Sequence, residues 1–280
     1  MLGTILAALL TLFPGHDADE GFADYLYALG EYDLASGEYL RIIYEHDEDT
    51  LACPLVSLHL ARCLQELGRA EDAFSLYTYL QRNLSEPDLR AGAMMGAGSV
   101  LEESGNFGYA RELYTEAAIT SEDTEIRARA GIMASLISAR TGNWAVSAEE
   151  LSVLASDGGP LSDLSSSLAA KVAEGEFLSH RSPLWCGISS AVVPGSGQMV
   201  CGHYTDGIIA LGVNGALAWL FIESLHEGNT TTSVLLGWLG LSFYGGNIYG
   251  GSRAAVTYNT ARRRELLDEV TGILENQHRF

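Results

Sequence analysis

The stretch Ala61-Arg62-Cys63-Leu64-Gln65-Glu66-Leu67-Gly68-Arg69-Ala70-Glu71-Asp72-Ala73-Phe74-Ser75-Leu76-Tyr77 decides the fold, because its landmarks recur along the first half of the chain. Gly68 is one of four glycines, Gly30, Gly68, Gly105 and Gly142, spaced 38, 37 and 37 residues apart. Seven positions before each stands a small residue: Ala23, Ala61, Gly98 and Ser135. Five positions after come Ala35, Ala73, Ala110 and Ser147, and nine after come Tyr39, Tyr77, Tyr114 and Leu151. A fixed period of this size means stacked copies of one supersecondary unit. Within one copy, Leu55, Leu58, Leu60, Ala61 and Leu64 recur at helical spacing. Gly68 supplies the left-handed residue that ends this helix. Ala70, Ala73, Phe74, Tyr77 and Leu80 then line a returning helix. The spacing therefore predicts repeated helical hairpins, an all-α solenoid.

The series Ala23-Leu26-Gly30-Tyr32-Ala35-Tyr39 and Gly98-Leu101-Gly105-Phe107-Ala110-Tyr114 resembles the tetratricopeptide repeat. The second copy has Ala70 at an aromatic position, and the fourth is degenerate at Ser138 and Ser147. The period exceeds that family's usual length of about 34 residues. The resemblance covers roughly residues 20–157, with a capping helix expected near 160–178. It implies a concave face that takes a protein or peptide. First-helix positions outside the packing set, His59, Arg62 and Gln65, are the candidates for that face.

Charge divides the chain. From Asp17 to Arg181 there are 29 acids against 11 bases, and Lys171 is the only lysine in the chain. That balance argues against nucleic acid, whose phosphates require clustered Lys and Arg. Farther on, Gly207 to Leu225 reads GIIALGVNGALAWLFIESL, with Glu223 its one charge, and Ser233 to Gly251 reads SVLLGWLGLSFYGGNIYGG, with none. Each is close to the length of a membrane span. A third apolar stretch, Leu184 to Gly202, is interrupted by Pro194-Gly195-Ser196-Gly197-Gln198, which leaves a kinked span, a re-entrant half-helix or an interfacial segment open. Trp185, Trp219 and Trp238 suit interfacial anchors. Gly246 and Gly250 suit close helix packing, and Gln198, Asn214 and Asn247 are expected to hydrogen-bond between helices.

Pro194, Gly195, Gly197, Gln198, Gly202, Tyr204, Gly207, Asn214, Asn247, Tyr249 and Gly250 together resemble a small bacterial membrane module of the PGxGQ, TM2-like kind. Met199, Val200 and Cys201 stand where the module's usual aromatic follows the glutamine. The resemblance implies membrane residence and no particular chemistry. The glycines are not a phosphate loop, since no Gly-Lys-Ser/Thr follows them.

Nothing in the sequence speaks for catalysis, and no catalytic residue, metal site or cofactor is expected. The histidines at 16, 46, 59, 180, 203, 226 and 278 form no HExxH pair. No nucleophile elbow or kinase signature occurs. Cys53, Cys63, Cys186 and Cys201 have neither CxxC nor zinc spacing.

Leu2 to Phe13 has the length and apolarity of a signal peptide but lacks a basic flank, so a short anchor or a first solenoid helix stay open. Arg253, Arg262, Arg263 and Arg264 argue for a cytoplasmic C-terminus. An exported repeat domain then requires three crossings. Leu266, Leu267, Val270, Ile273 and Leu274 form an amphipathic stripe expected to lie on the membrane or on a partner.

The domains expected are 1–18, an apolar leader; 19–181, the repeats; 182–258, the membrane module; and 259–280, an amphipathic tail. The function expected is a non-catalytic, membrane-anchored scaffold of a bacterial envelope, in contact with lipid and a protein or peptide ligand and open to homo-oligomerisation. The alternative is a transport or membrane-protein assembly component in which the C-terminal module is the active part.

Overall fold

The computed structural model describes residues 18–46 and 50–277, and every regular element among them is helical. The N-terminal Leu2–Phe13 expectation lies outside the described residues. Two compact units emerge, one holding residues up to Glu176 together with Leu267 onward, the other Phe177–Leu266.

The first unit contains α1 (Ala18–Ala28), α2 (Tyr32–Glu45), α3 (Pro54–Glu66), α4 (Ala70–Asn83), α5 (Pro87–Glu103), α6 (Phe107–Thr120), α7 (Thr124–Thr141), α8 (Trp144–Ser156) and α9 (Ser162–Ala173). Each of these helices from α2 to α7 packs on its sequence neighbours, and α5 also touches α3 and α7. The four periodic glycines all lie at positive φ, +79°, +75°, +81° and +92°. Each ends its helix in the same way. At Gly68 its N–H donates to the Gln65 carbonyl and the Arg69 N–H to the Leu64 carbonyl; at Gly142 the acceptors are Ala139 and Ser138. This pair of bonds satisfies carbonyls that a helix end leaves bare.

The periodic small residues and tyrosines are buried throughout. Their reason is close approach. A Cβ on Gly98 would lie 2.9 Å from Cε1 of Tyr114, and one on Gly96 would collide with the Tyr77 ring. The tyrosine of one returning helix thus lies against a glycine of α5 that has no side chain to exclude it. Gly96→Ala should accordingly lower stability by about 1–3 kcal/mol through overpacking. Gly108→Ala, which has open space around it on α6, should change stability little or raise it. Thermal midpoints of the two variants, followed by circular dichroism, check this. Equal midpoints would mean the glycine–tyrosine contact is not tight.

The second unit contains α10 (Pro183–Val192), the short α11 (Ser196–Val200), α12 (Tyr204–His226) and most of α13 (Thr230–Gln277), a helix of 48 residues. The Leu184–Gly202 stretch is therefore not one helix: it breaks at Val193–Gly195. Among the described residues one helix, Tyr204–His226, is long and apolar enough to cross a membrane. The Ser233–Gly251 run is helical throughout as part of α13.

The last residues depart from expectation. Val270 and Leu274 are buried in a cluster with Ile132, Leu136, Leu168 and Val172 of the first unit, and Lys171 pairs with Glu269. The C-terminal stripe is covered by the chain itself, because α7 and α9 offer it an apolar face.

Candidate functional site

His59, Arg62 and Gln65 differ from the open face expected of them. They are 6 %, 4 % and 6 % exposed, inside a helix buried on every side from Val56 to Gln65. His59 Nδ1 lies 3.2 Å from Asp24, which also accepts from the Tyr39 hydroxyl at 2.5 Å, so three helices meet on one carboxylate. Burial alone would raise the Asp24 carboxyl; the bonds from His59 and Tyr39 outweigh it and hold the group below the usual carboxylate range. The Arg62 guanidinium carbon sits 5.4 Å from the Tyr27 ring centre, a cation–π distance. Gln65 donates to Ser99 at 3.0 Å and to Glu103 at 2.8 Å, tying α3 to α5. The three side chains belong to the helix packing, which the first-helix spacing had placed them outside.

A second polar link of the same type runs between α5, α6 and α7. Glu102 accepts from the Tyr114 hydroxyl at 3.0 Å and pairs with Arg140 at 2.8 Å. Burial pushes its carboxyl up, with Arg140 pulling the other way.

The module motif assembles into one site in the second unit. Gly195, at φ +88°, turns the chain between α10 and α11, beside Pro194. Its N–H donates to Oδ1 of Asn247 at 2.8 Å, and Asn247 Nδ2 donates to the Ser190 carbonyl at 2.8 Å. One amide side chain on α13 therefore satisfies a donor and an acceptor that the break in the helix exposes. The Ser190 hydroxyl donates to Gln198 Oε1 at 2.9 Å and accepts from the Gly197 N–H at 3.0 Å. Gln198 Nε2 reaches the Asn247 carbonyl at 3.3 Å. All of these groups are buried.

The glycines are there for backbone contact. A Cβ on Gly195 would fall on the carbonyl of Gly207, and one on Gly197 on the carbonyl of Cys186. A Cβ on Gly250 would press on Gln198 Nε2 at 2.9 Å. Gly202, at φ +85°, closes the turn into α12, whose first residue, Tyr204, is exposed.

Asn214 and Tyr249 of the motif, and Gly246 beside it, stand apart from this network. Asn214 donates to Ala210 of its own helix at 2.8 Å, where a bond between helices was expected. An apolar helix surface around it offers no second backbone break to satisfy. Tyr249 is exposed, and Gly246 has open space where a packed neighbour was expected. Ser190 was missed: a lone serine in an apolar run carries no spacing signal, and only the fold brings it to Gln198.

Beside the network lies a cavity of about 460 Å³ lined by Gln198, Asp206, Asn214, Gly246 and Asn247 among others. Its polar lining comes from amides, the Asp206 carboxylate and Ser242, set among apolar Ile209, Val213 and Phe243. His203 lies 3.5 Å from Asp206, one turn away, with both side chains exposed. Among the described residues no three His, Cys, Asp or Glu side chains gather where a metal could be held.

The chain matches no family model, no curated protein and no solved structure.

Proposed function

We propose that the chain is a membrane-attached scaffold: a tetratricopeptide-like solenoid that binds a protein or peptide without catalysis, carried on a transmembrane helical hairpin of the PGxGQ kind. The observation that carries this reading is α12. Its most apolar window has a mean hydropathy of 1.8 and is only 6 % buried. A helix this apolar and this bare suits lipid. Trp219 and Ile222 are exposed on α12, and exposed Val234, Leu235, Trp238 and Leu241 extend the same character onto α13, which supports a second crossing.

Topology follows by parity. Val270 and Leu274 pack within the same unit as Ile132 and Leu136, which supports an even number of crossings between them. Helix α10 has 10 residues, about 15 Å at 1.5 Å per residue, half of a bilayer core of about 30 Å. It suits a re-entrant half-helix. Two crossings, with Arg253, Arg262, Arg263 and Arg264 on the cytoplasmic side, then put the repeats in the cytoplasm too. This reading replaces the exported repeat domain.

The partner surface is sought where apolar side chains stay bare. Phe22 and Tyr25 on α1 and Leu29 just past its end follow one another at three and four residues and are exposed, as is Tyr44 on α2. A second reading, in which the module handles a small polar solute or a client helix, is favoured by the cavity that Gln198, Asn214 and Asn247 help to line.

Reporters placed after Gly158 and after Phe280 should both read cytoplasm; a repeat unit outside the membrane refutes the topology. A partner crosslinked in cells should be lost with Tyr25→Asp or Leu29→Asp and kept with Gln198→Ala. The opposite pattern selects the second reading.

A further inference from the structure

We propose that Cys186 and Cys201 form a reversible dithiol–disulfide site, oxidised by exchange with a low-molecular-weight disulfide. Their sulfurs lie 3.6 Å apart, in direct contact and with no bond between them. The two thiols come from different elements, the first turn of α10 and the residue that caps α11. Both are buried in one small cluster with Ala254 and Ala255, Tyr258 packing against it. The backbones here are held closely, since Gly197 of α11 abuts the Cys186 carbonyl with no room for a side chain.

A disulfide needs the sulfurs at about 2.05 Å and Cα atoms within about 7 Å. Side-chain rotation at two cysteines on abutting backbones supplies the remaining approach. The cysteines stand 15 residues apart in sequence, so the bond would close a loop spanning Pro194 and Gly195. It would staple the helix break that the Asn247 amide holds by hydrogen bonds alone. Cys53 and Cys63 have no such relation: they lie at the start and near the end of α3.

The step balances as ordinary exchange. The thiolate of one cysteine attacks a sulfur of the reagent disulfide and expels one reagent thiolate. The second cysteine, losing its proton, attacks the mixed disulfide and expels the other. Two protons pass to the leaving thiolates, and two electrons reduce the reagent. In a reducing compartment the pair rests as thiols, so the bond marks an oxidising episode. The turn at Gly202, next to Cys201 and exposed, is the place where local opening admits the reagent.

The test uses the full chain, purified in detergent under reductant and then incubated with oxidised glutathione. Thiols are counted by maleimide after denaturation, and peptides are mapped by mass. The expected result is a fall from four alkylatable thiols to two, a mass lower by two hydrogens, and one linked peptide pair containing Cys186 and Cys201. Cys53→Ser with Cys63→Ser should leave that link intact, while Cys186→Ser should leave Cys201 as a glutathione adduct or a thiol. Four thiols surviving prolonged oxidation would overturn the proposal. So would a link that joins any other pair or two separate chains. The peptide map of the unaltered chain needs no variant, so misfolding of a substituted protein does not obscure the answer.

Discussion

Gly195→Ala should weaken the turn between α10 and α11, lowering resistance to denaturation by about 2–5 kcal/mol. Two costs add. Gly195 sits at φ +88°, where a residue with a side chain is strained by about 1–2 kcal/mol. The new methyl would also fall on the backbone carbonyl of Gly207. A carbonyl cannot rotate aside as a flexible side chain can, so α11 and α12 must separate, and overpacking of this kind typically costs about 1–3 kcal/mol. Separation would in turn lengthen the bond from Gly195 N–H to Asn247. Gly212→Ala on α12 is the control, since nothing lies within 4 Å of its would-be Cβ. Unfolding of both variants in mixed micelles, titrated with a denaturing detergent and followed by circular dichroism, gives the comparison. If the two variants unfold at the same point, the tight crossing at Gly195 and Gly207 does not hold the module together.

That crossing shows what a sequence yields readily and what it withholds. The glycine period, the small residues around it and the tyrosine at the ninth position of the first three copies could be read directly, because a helix end and a close contact each restrict the residue types that fit. The interruption at Pro194-Gly195 could be read as a break for the same reason. The burial of His59, Arg62 and Gln65 could not. Helical spacing says which residues share a face, and coverage of that face depends on segments far away in sequence. Gln65 meets Ser99 and Glu103, 34 and 38 residues on. The C-terminal stripe has the same history: its amphipathic pattern was plain, and its covering surface on α7 and α9 was a non-local fact. Asn214 and Asn247 mark the limit most clearly. The two residues are of one type on two apolar helices. One bonds within its own helix and the other satisfies a broken one, and only the position of the break decides between them.

That distinction makes the last prediction. Asn247→Leu should cost about 2–5 kcal/mol, whereas Asn214→Leu should cost less than about 1 kcal/mol. Leucine is similar in size, so the change tests hydrogen bonding more than volume. With Asn247 gone, the Gly195 N–H and the Ser190 carbonyl both lose partners at 2.8 Å inside a buried site. Each unsatisfied buried group costs about 1–3 kcal/mol, and both groups are shut away from solvent. Gln198 also loses its contacts to Asn247 Oδ1, so the serine–glutamine pair loosens with it. Asn214 supports no other group: its amide bonds only to Ala210, a carbonyl already within a helix. Asn247→Asp discriminates further. A carboxylate still accepts from Gly195 but has nothing to donate to Ser190, and it brings a charge into an apolar site. It should therefore be no better tolerated than leucine. The same micelle titration reads all three variants. Equal losses for Asn247→Leu and Asn214→Leu would mean that the broken helix is held by backbone packing among its glycines, with the amide network a passenger. A large difference would make Asn247 the residue by which α13 holds the broken end of α10, whose buried donor and acceptor have no other partner among the described residues.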